Sequence, residues 1–227
     1  MNIVRLSENT IVILFEQIIS HDNFVLISQL VSAIKQHLNE YIVDIIPSYA
    51  SIHIAFNLLK ISGLDFKKKI NELTREYATA NSNSQLGKVI EIPVYYGEEV
   101  ALDLSIIAEK SHLSEQGVID AHSKKTYDVY AIGFAPGFAY LGNVDESISF
   151  PRKETPRKKV SQGSLGIADK QTAVYPSESP GGWQIIGRTP IQLIDYNSKN
   201  LTYFNAGDKV KFVPVDRLEY IRLGGVL

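Results

Sequence analysis

Residues 179–190 read SPGGWQIIGRTP, and the fold of this stretch decides what kind of protein the chain is. From Gly182 to Thr189 it runs G-W-Q-I-I-G-R-T, which is the spacing of a phosphate-binding P-loop with Arg188 in the lysine position. Such a loop works because a strand delivers a glycine-rich turn to a helix N-terminus, whose N–H groups then surround the phosphates. The context here fails on both sides. ESPGG reads as turn rather than strand, and IQLIDY after Pro190 alternates like a strand with no helical stripe. Between the glycines, Trp-Gln-Ile-Ile is bulky where backbone would have to curl around phosphate. The stretch is therefore expected to be part of a β-structure. Two glycines before the chain's single tryptophan imply a close backbone approach beside a flat side chain. Trp183 is then either a core residue after a tight turn or a wall facing a ligand.

The surroundings agree with a β-rich region. After Tyr127 no long helical stripe appears. Short strands alternate with Gly and Pro: TYDVYAIGF, LGIAD, TAVYP, WQIIG, IQLIDY and KVKFVPV. Many short strands at close spacing predict a closed barrel or a sandwich, and the four-residue runs between turns favour the barrel. Two short helices precede it, one over LSIIAEK with Asp103 as cap and one from Ser114 to His122. The stretch AIGFAPGFAYLG (131–142) brackets Phe134, Pro136, Phe138 and Tyr140 with Gly133, Gly137 and Gly142. It is too glycine-rich for a core strand and too aromatic for a solvated loop, and it suits a small-molecule pocket wall or a partner surface, the alternative being a hydrophobic loop folded under the barrel. The basic run Arg152, Lys153, Arg157, Lys158, Lys159 carries one acid, Glu154. By default it is a solvated loop; as an anion-binding arm, Arg152 and Arg157 are its better candidates, since Arg recognises planar anions. The five histidines have no metal-ligand spacing, so no metal site is expected. His122, just before the TYDVYAIGF strand, is read as a surface residue, with a general-base role as the alternative.

The first part of the chain alternates between two periods. TIVILF (10–15), YIVDII (41–46), SIHIAFN (51–57) and KVIEIPVYY (88–96) have strand character. Phe24, Ile27, Val31, Ile34 and Leu38 mark one helix, with Asp22 or Asn23 able to cap it. Phe66, Ile70, Leu73 and Tyr77 mark a second. The order β-α-β-β-α-β is the ferredoxin-like split βαβ pattern, so the fold class is α+β. The polar segment NSNSQLG (81–87) is taken as the boundary, giving domains 1–86 and 87–227. With 227 residues, 44% hydrophobic and 21% charged, the composition is that of a globular protein with a real core. A net charge of −2 offers no basis for nucleic acid or an anionic membrane as partner. The absence of cysteine excludes disulfides and thiolate chemistry. IVILF (11–15) is too short for a signal sequence and runs into Glu16, and a cytoplasmic location is expected.

Taken together, HSKKTYDVYAIGFAPGFAYLG, FPRKETPRKKV, GSLGIADKQTAVYPSESPGGWQIIGRTP and AGDKVKFVPV resemble the allophanate hydrolase subunit 1 family, which includes KipI and the B subunit of bacterial 5-oxoprolinase. The resemblance implies that the barrel is cyclophilin-like. It implies a protein that works with a homologous C subunit (KipA-like) and an A subunit of another fold to open 5-oxo-L-proline to L-glutamate at the expense of ATP. That makes ATP the cofactor of the assembled complex and a small lactam its substrate, with this chain inactive alone. Two alternatives come with the family: inhibition of a sporulation histidine kinase, as described for KipI, and carboxyl transfer, as in urea amidolyases. Carried onto this chain, the family motif marks Phe134, Pro136, Gly137, Phe138, Tyr140, Arg157, Gln171, Tyr175, Pro180, Gly181, Gly182, Trp183, Gln184, Arg188 and Thr189. Arg188 and Arg157 are the catalytic candidates. Phe134, Pro136, Phe138, Tyr140, Gln171, Tyr175, Trp183, Gln184 and Thr189 are candidates for the substrate or partner cleft. The chain departs from the family pattern at Ala135, Ala139, Ser161, Gln162 and Asp169.

Overall fold

The computed structural model describes residues 1–18, 20–79, 87–197 and 201–227. The chain divides into two compact units, Met1–Leu86 and Gly87–Leu227. Most of the polar segment 81–87, expected as the boundary, lies outside the described residues.

The first unit contains β1 (Asn2–Arg5), β2 (Thr10–Leu14), α1 (His21–Leu38), β3 (Ile42–Pro47), β4 (Ser51–Phe56) and α2 (Gly63–Thr79). Its sheet has the order β1-β2-β4-β3, antiparallel throughout. The core forms because alternate strand residues (Ile11, Ile13, Ile52, Ile54, Phe56) meet helical-period residues of α1 (Ile27, Leu30, Ile34) and of α2 (Phe66, Ile70). Helix α1 is capped by Ser20, whose hydroxyl accepts from the Asn23 N–H, and not by Asp22 or Asn23. The Asn23 amide is used elsewhere, donating to the carbonyls of Glu16 and Ile18.

The order of elements corrects the sequence expectation. The unit is ββαββα rather than βαββαβ. A strand at the very start, β1, lies at the sheet edge beside β2. The strand expected to complete this sheet, β5 (Val89–Val94), belongs to the second unit, where it pairs in parallel with β13 (Lys209–Pro214). The alternation of Ile90, Ile92 and Val94 shows that one face is buried, but alternation carries no information about which sheet supplies the neighbour.

The second unit continues with α3 (Leu104–Lys110), α4 (Glu115–Ser123), β6 (Thr126–Ile132), β7 (Ala139–Gly142), β8 (Arg157–Val160), β9 (Ser164–Ala168), β10 (Gln171–Val174), β11 (Ser179–Gly181), β12 (Gln184–Arg188), β13 and α5 (Arg217–Arg222). Seven strands form one sheet in the order β12-β9-β10-β7-β6-β13-β5. Its two outer strands meet. The Tyr95 N–H, one residue past β5, donates to the Arg188 carbonyl at 2.9 Å, and the Arg188 N–H donates back to Tyr95 at 2.8 Å. This pair draws the sheet into a nearly closed barrel. Gly187 permits the approach, because a Cβ there would lie 2.8 Å from the Tyr95 carbonyl oxygen and 2.9 Å from Val94 Cγ1. Inside lie Val129, Leu141, Leu165, Ile167, Ile186, Val210 and Phe212, with Ile107 and Val118 from the two helices. β8 and β11 form a separate two-stranded ribbon.

Three local expectations are corrected here. SPG is a short strand, because β8 gives it hydrogen-bonding partners. IQLIDY is not a strand; among the described residues it makes the isolated Ile194–Thr202 bridge, and Leu193 is buried. The opening stretch nevertheless fails as a P-loop, since Gln184–Arg188 is itself a strand and Thr189 does not begin a helix. His122 is fully buried rather than on the surface. It lies between the Tyr96 hydroxyl (3.2 Å from Nδ1) and the Thr172 hydroxyl (2.9 Å from Nε2), against the rings of Tyr127 and Phe212. The amphipathic period of α4 is too short to tell an inward histidine from an outward one.

Gly187→Ala should push the barrel seam apart and cost about 1–3 kcal/mol of stability, measured by urea unfolding. His122 should make the fold acid-sensitive. Burial lowers its pKa to about 3, so the unfolded chain binds the extra proton between there and the ordinary value near 6.5. Stability should therefore fall as pH drops below that value, by about 2 kcal/mol at pH 5. The slope of unfolding free energy against pH should flatten in His122→Gln.

Candidate functional site

The hairpin between β6 and β7 builds the first wall. Its turn is held by Gly133 N–H donating to Phe138 O and Phe138 N–H donating to Ala135 O, both at 3.0 Å. Phe134 (φ 70°) and Gly137 (φ 77°) both take the left-handed conformation that such a reversal requires. The result leaves Phe134 65% exposed at the rim while Phe138 is buried beneath it. Phe138 is the hub of an aromatic cluster. Its ring meets Phe134 at 5.2 Å, Tyr140 at 4.9 Å, Tyr175 at 5.4 Å and Trp183 at 5.6 Å, all edge-to-face. That geometry sets the positive edge of one ring against the negative face of the next.

The opposite wall comes from the glycines before Trp183. Gly181 lies so close to the Tyr175 hydroxyl that a Cβ would overlap it. Tyr175 is buried, which raises its pKa, with the charges of Arg152 and Arg157 working the other way. The basic segment is fastened over this wall. Lys153 N–H donates to Gly182 O at 2.8 Å, and the Gln184 amide donates to Pro151 O at 2.9 Å. The Arg152 guanidinium thereby sits 5.7 Å from the Trp183 ring centre, within cation–π range. A cleft of ≈ 100 Å³ remains, lined by Phe134, Phe138, Tyr140, Arg152, Tyr175 and Trp183 with the backbone of 180–182.

Beneath the cleft lies a charge cluster that the sequence does not announce. Asp103 is 1% exposed. Its Oδ1 accepts from Arg157 at 2.7 Å and Lys153 at 3.1 Å, and its Oδ2 accepts from the Ile185 N–H at 2.7 Å. The Asp103 N–H donates back to Ile185 O at 2.8 Å. Burial pushes the carboxyl pKa up, but the bonds from Arg157, Ile185 and Lys153 overcome it and hold it below the usual range. Asp103 precedes α3 as expected, yet its side chain makes no capping bond there. Arg157 is consequently committed to Asp103, with a long contact to the Trp183 carbonyl at 3.4 Å.

The remaining candidates are dispersed. Gln184 is buried and holds the basic segment rather than lining the cleft. Pro136 is exposed on the hairpin turn, and Gln171 sits at the start of β10, paired with Gly142 and Ala168. Arg188 and Thr189 line a second cleft, of ≈ 340 Å³, which shares no lining residue with the first. Thr189 is buried there, its hydroxyl accepting from the Ile191 N–H. Trp183 immediately precedes β12 and Arg188 ends it, on the order of 16 Å apart at the rise of a strand.

Residues 1–204 match the family described as "Carboxyltransferase domain, subdomain C and D". The chain belongs to this carboxyltransferase family. Its relatives include the B subunit of 5-oxoprolinase from Bacillus subtilis, 36% identical over 192 residues (78% of each chain), and that from Escherichia coli O157:H7, 38% identical over 173 residues (76% of this chain, 78% of the relative). These agree with the resemblance read from the glycine–proline motifs. Among solved structures, TTHA0988 superposes with a TM-score of 0.80 at 27% identity over 92% of this chain, which spans only 40% of that longer protein. The Kluyveromyces lactis urea amidolyase superposes with a TM-score of 0.74 at 18% identity over 97% of this chain and 15% of its own; at that identity the likeness is one of fold. No helix among the described residues is long and apolar enough to cross a membrane.

The Asp103 cluster should be a principal anchor of the carboxyltransferase-like unit. Asp103→Ala would leave Arg157 and Lys153 without their shared counter-charge and the Ile185 N–H without its acceptor. The expected loss is about 3 kcal/mol in urea unfolding, and the Trp183 fluorescence should shift to the red as the basic segment detaches.

Proposed function

We propose that this chain is the B subunit of an ATP-dependent 5-oxoprolinase, acting with C and A subunits to convert 5-oxo-L-proline, ATP and water to L-glutamate, ADP and phosphate. The observation that carries the reading is the small aromatic cleft with Arg152 over Trp183. A five-membered lactam is flat and compact, and its ring stacks on aromatic faces while its carboxylate needs a cation at the rim. Phe134 and Tyr140 would flank the ring, and Arg152 would receive the carboxylate. Trp183 and Phe138, both buried, would keep water from the amide while it is activated. Arg157 would act as a positioning residue, because its guanidinium is spent on Asp103 and so holds the basic segment in place.

The cleft is far smaller than nucleotide sites, which run to several hundred Å³. The strand Gln184–Arg188 also lacks the geometry of a phosphate cradle. ATP would therefore bind outside the aromatic cleft, with the lactam oxygen as phosphoryl acceptor; water then opens the activated amide and phosphate leaves. A complex of this kind is in keeping with the relatives, each of which is one component of a multi-subunit 5-oxoprolinase.

The test is ATP-dependent glutamate release by the reconstituted subunits. Arg152 is exposed and free of ion pairs among the described residues, so Arg152→Ala should leave the fold intact. It should raise KM for 5-oxoproline at least tenfold, with a smaller effect on kcat. Unchanged kinetics in this variant would remove the aromatic cleft as the lactam site.

A further inference from the structure

The second cleft, at the barrel seam, is chemically distinct from the aromatic one. Ser161, Gln162, Arg188, Thr189, Gln192 and Tyr220 contribute to it, with the backbone of 224–227 as its outer lip. No Asp or Glu side chain among the described residues lines it. Its one charged side chain is the Arg188 guanidinium, whose position is set twice over. The main chain of Arg188 is fixed by the two hydrogen bonds to Tyr95. The side-chain stem passes over Gly163, where a Cβ would come within 3.3 Å of Arg188 Cγ. Gly163 is left-handed (φ 79°) and gives its carbonyl to the Thr189 N–H at 2.9 Å.

The guanidinium is only partly used. Nη1 donates to the Val226 carbonyl at 3.0 Å, and the Tyr220 hydroxyl, itself hydrogen-bonded by the guanidinium, donates to the same oxygen at 2.9 Å. Nε is buried and has no acceptor, the one such side-chain nitrogen or oxygen among the described residues. An N–H buried without a partner is costly, and a cationic one more so. The edge that carries Nε and Nη2 is the fork that takes a planar carboxylate through two parallel bonds. The side chains of Ser161, Gln162 and Gln192 make no hydrogen bond among the described residues and add neutral polar groups at the margin.

We propose that this cleft is a binding site for a small carboxylic acid, held side-on by the Nε–Nη2 edge of Arg188 and lipped by residues 224–227. The Val226 carbonyl acts as a neutral partner on the other side of the guanidinium, so the full positive charge is left for the ligand. Such a fork also takes phosphate, but a single cationic side chain in the lining matches a monoanionic carboxylate more closely than a dianionic phosphate. The site is independent of the oxoprolinase reading, since it needs only this chain and no nucleotide.

The Nε–H resonances of arginine in the 15N-labelled protein provide the test, with sodium acetate, L-glutamate and inorganic phosphate as probes. The carboxylates should move the Arg188 Nε–H saturably, and isothermal titration should give the same affinity. Arg188→Lys, which keeps the charge but loses the fork, should weaken acetate and glutamate binding about tenfold or more. Gln192→Ala, on an exposed side chain, should weaken it by a smaller factor and keeps the test valid if the lysine variant fails to fold. An Arg188 Nε–H that does not respond to either carboxylate would overturn the proposal. Phosphate binding more tightly than acetate would overturn the assignment to a carboxylate.

Discussion

Closure of the barrel between Tyr95 and Arg188 is the constraint on which the second unit depends. The sheet runs from β12 to β5, and without the reciprocal hydrogen bonds at this seam both outer strands would present open edges. Gly187 makes the approach possible by omitting a side chain where the Tyr95 carbonyl must pass. The same contact orients β12 and so decides where each residue of the GGWQIIGRT motif points. Trp183 enters the aromatic cluster at one end, and Arg188 reaches the other cleft. A motif continuous in sequence is thus divided between two places by the length of a strand.

A second constraint joins segments distant in sequence. Asp103, ahead of α3, draws together the basic segment through Lys153 and Arg157 and the start of β12 through Ile185. One buried carboxylate satisfied by three donors is stable where an unpaired one would not be. It converts a charged loop that looks solvated into a fixed shelf over Trp183. The PRK and GGWQ motifs are further tied by Lys153 to Gly182 and by Gln184 to Pro151. Arg152 owes its place above the tryptophan to this fastening rather than to any preference of its own.

Much of the architecture is legible in the residues themselves. Ile52, Ile54 and Phe56 announce a strand by alternation, TIVILF another by its short apolar run, and Phe24, Ile27, Ile34 and Leu38 a helix by period. The clustering of Gly and Pro around Phe138 and Trp183 marks the walls of the aromatic cleft. What stays hidden is of one kind. β1 is a short, half-exposed strand with too little burial to show a pattern, and β11 is a strand only because β8 lies beside it. His122 and Asp103 look local, one a surface residue and the other a cap, because their real partners (Thr172, Arg157) are some fifty residues away.

The amino-acid order by itself determined both long helices and most of the barrel strands, where the backbone must turn tightly, and which family the chain resembles, since all of these rest on short-range sterics, periodicity and motif. The tertiary structure alone decided that β5 joins the barrel, that Arg157 is consumed by Asp103, and that Arg188 faces a cleft apart from Trp183. Those outcomes depend on which distant groups meet, and a pairing between remote residues is a property of the closed sheet, not of any local stretch.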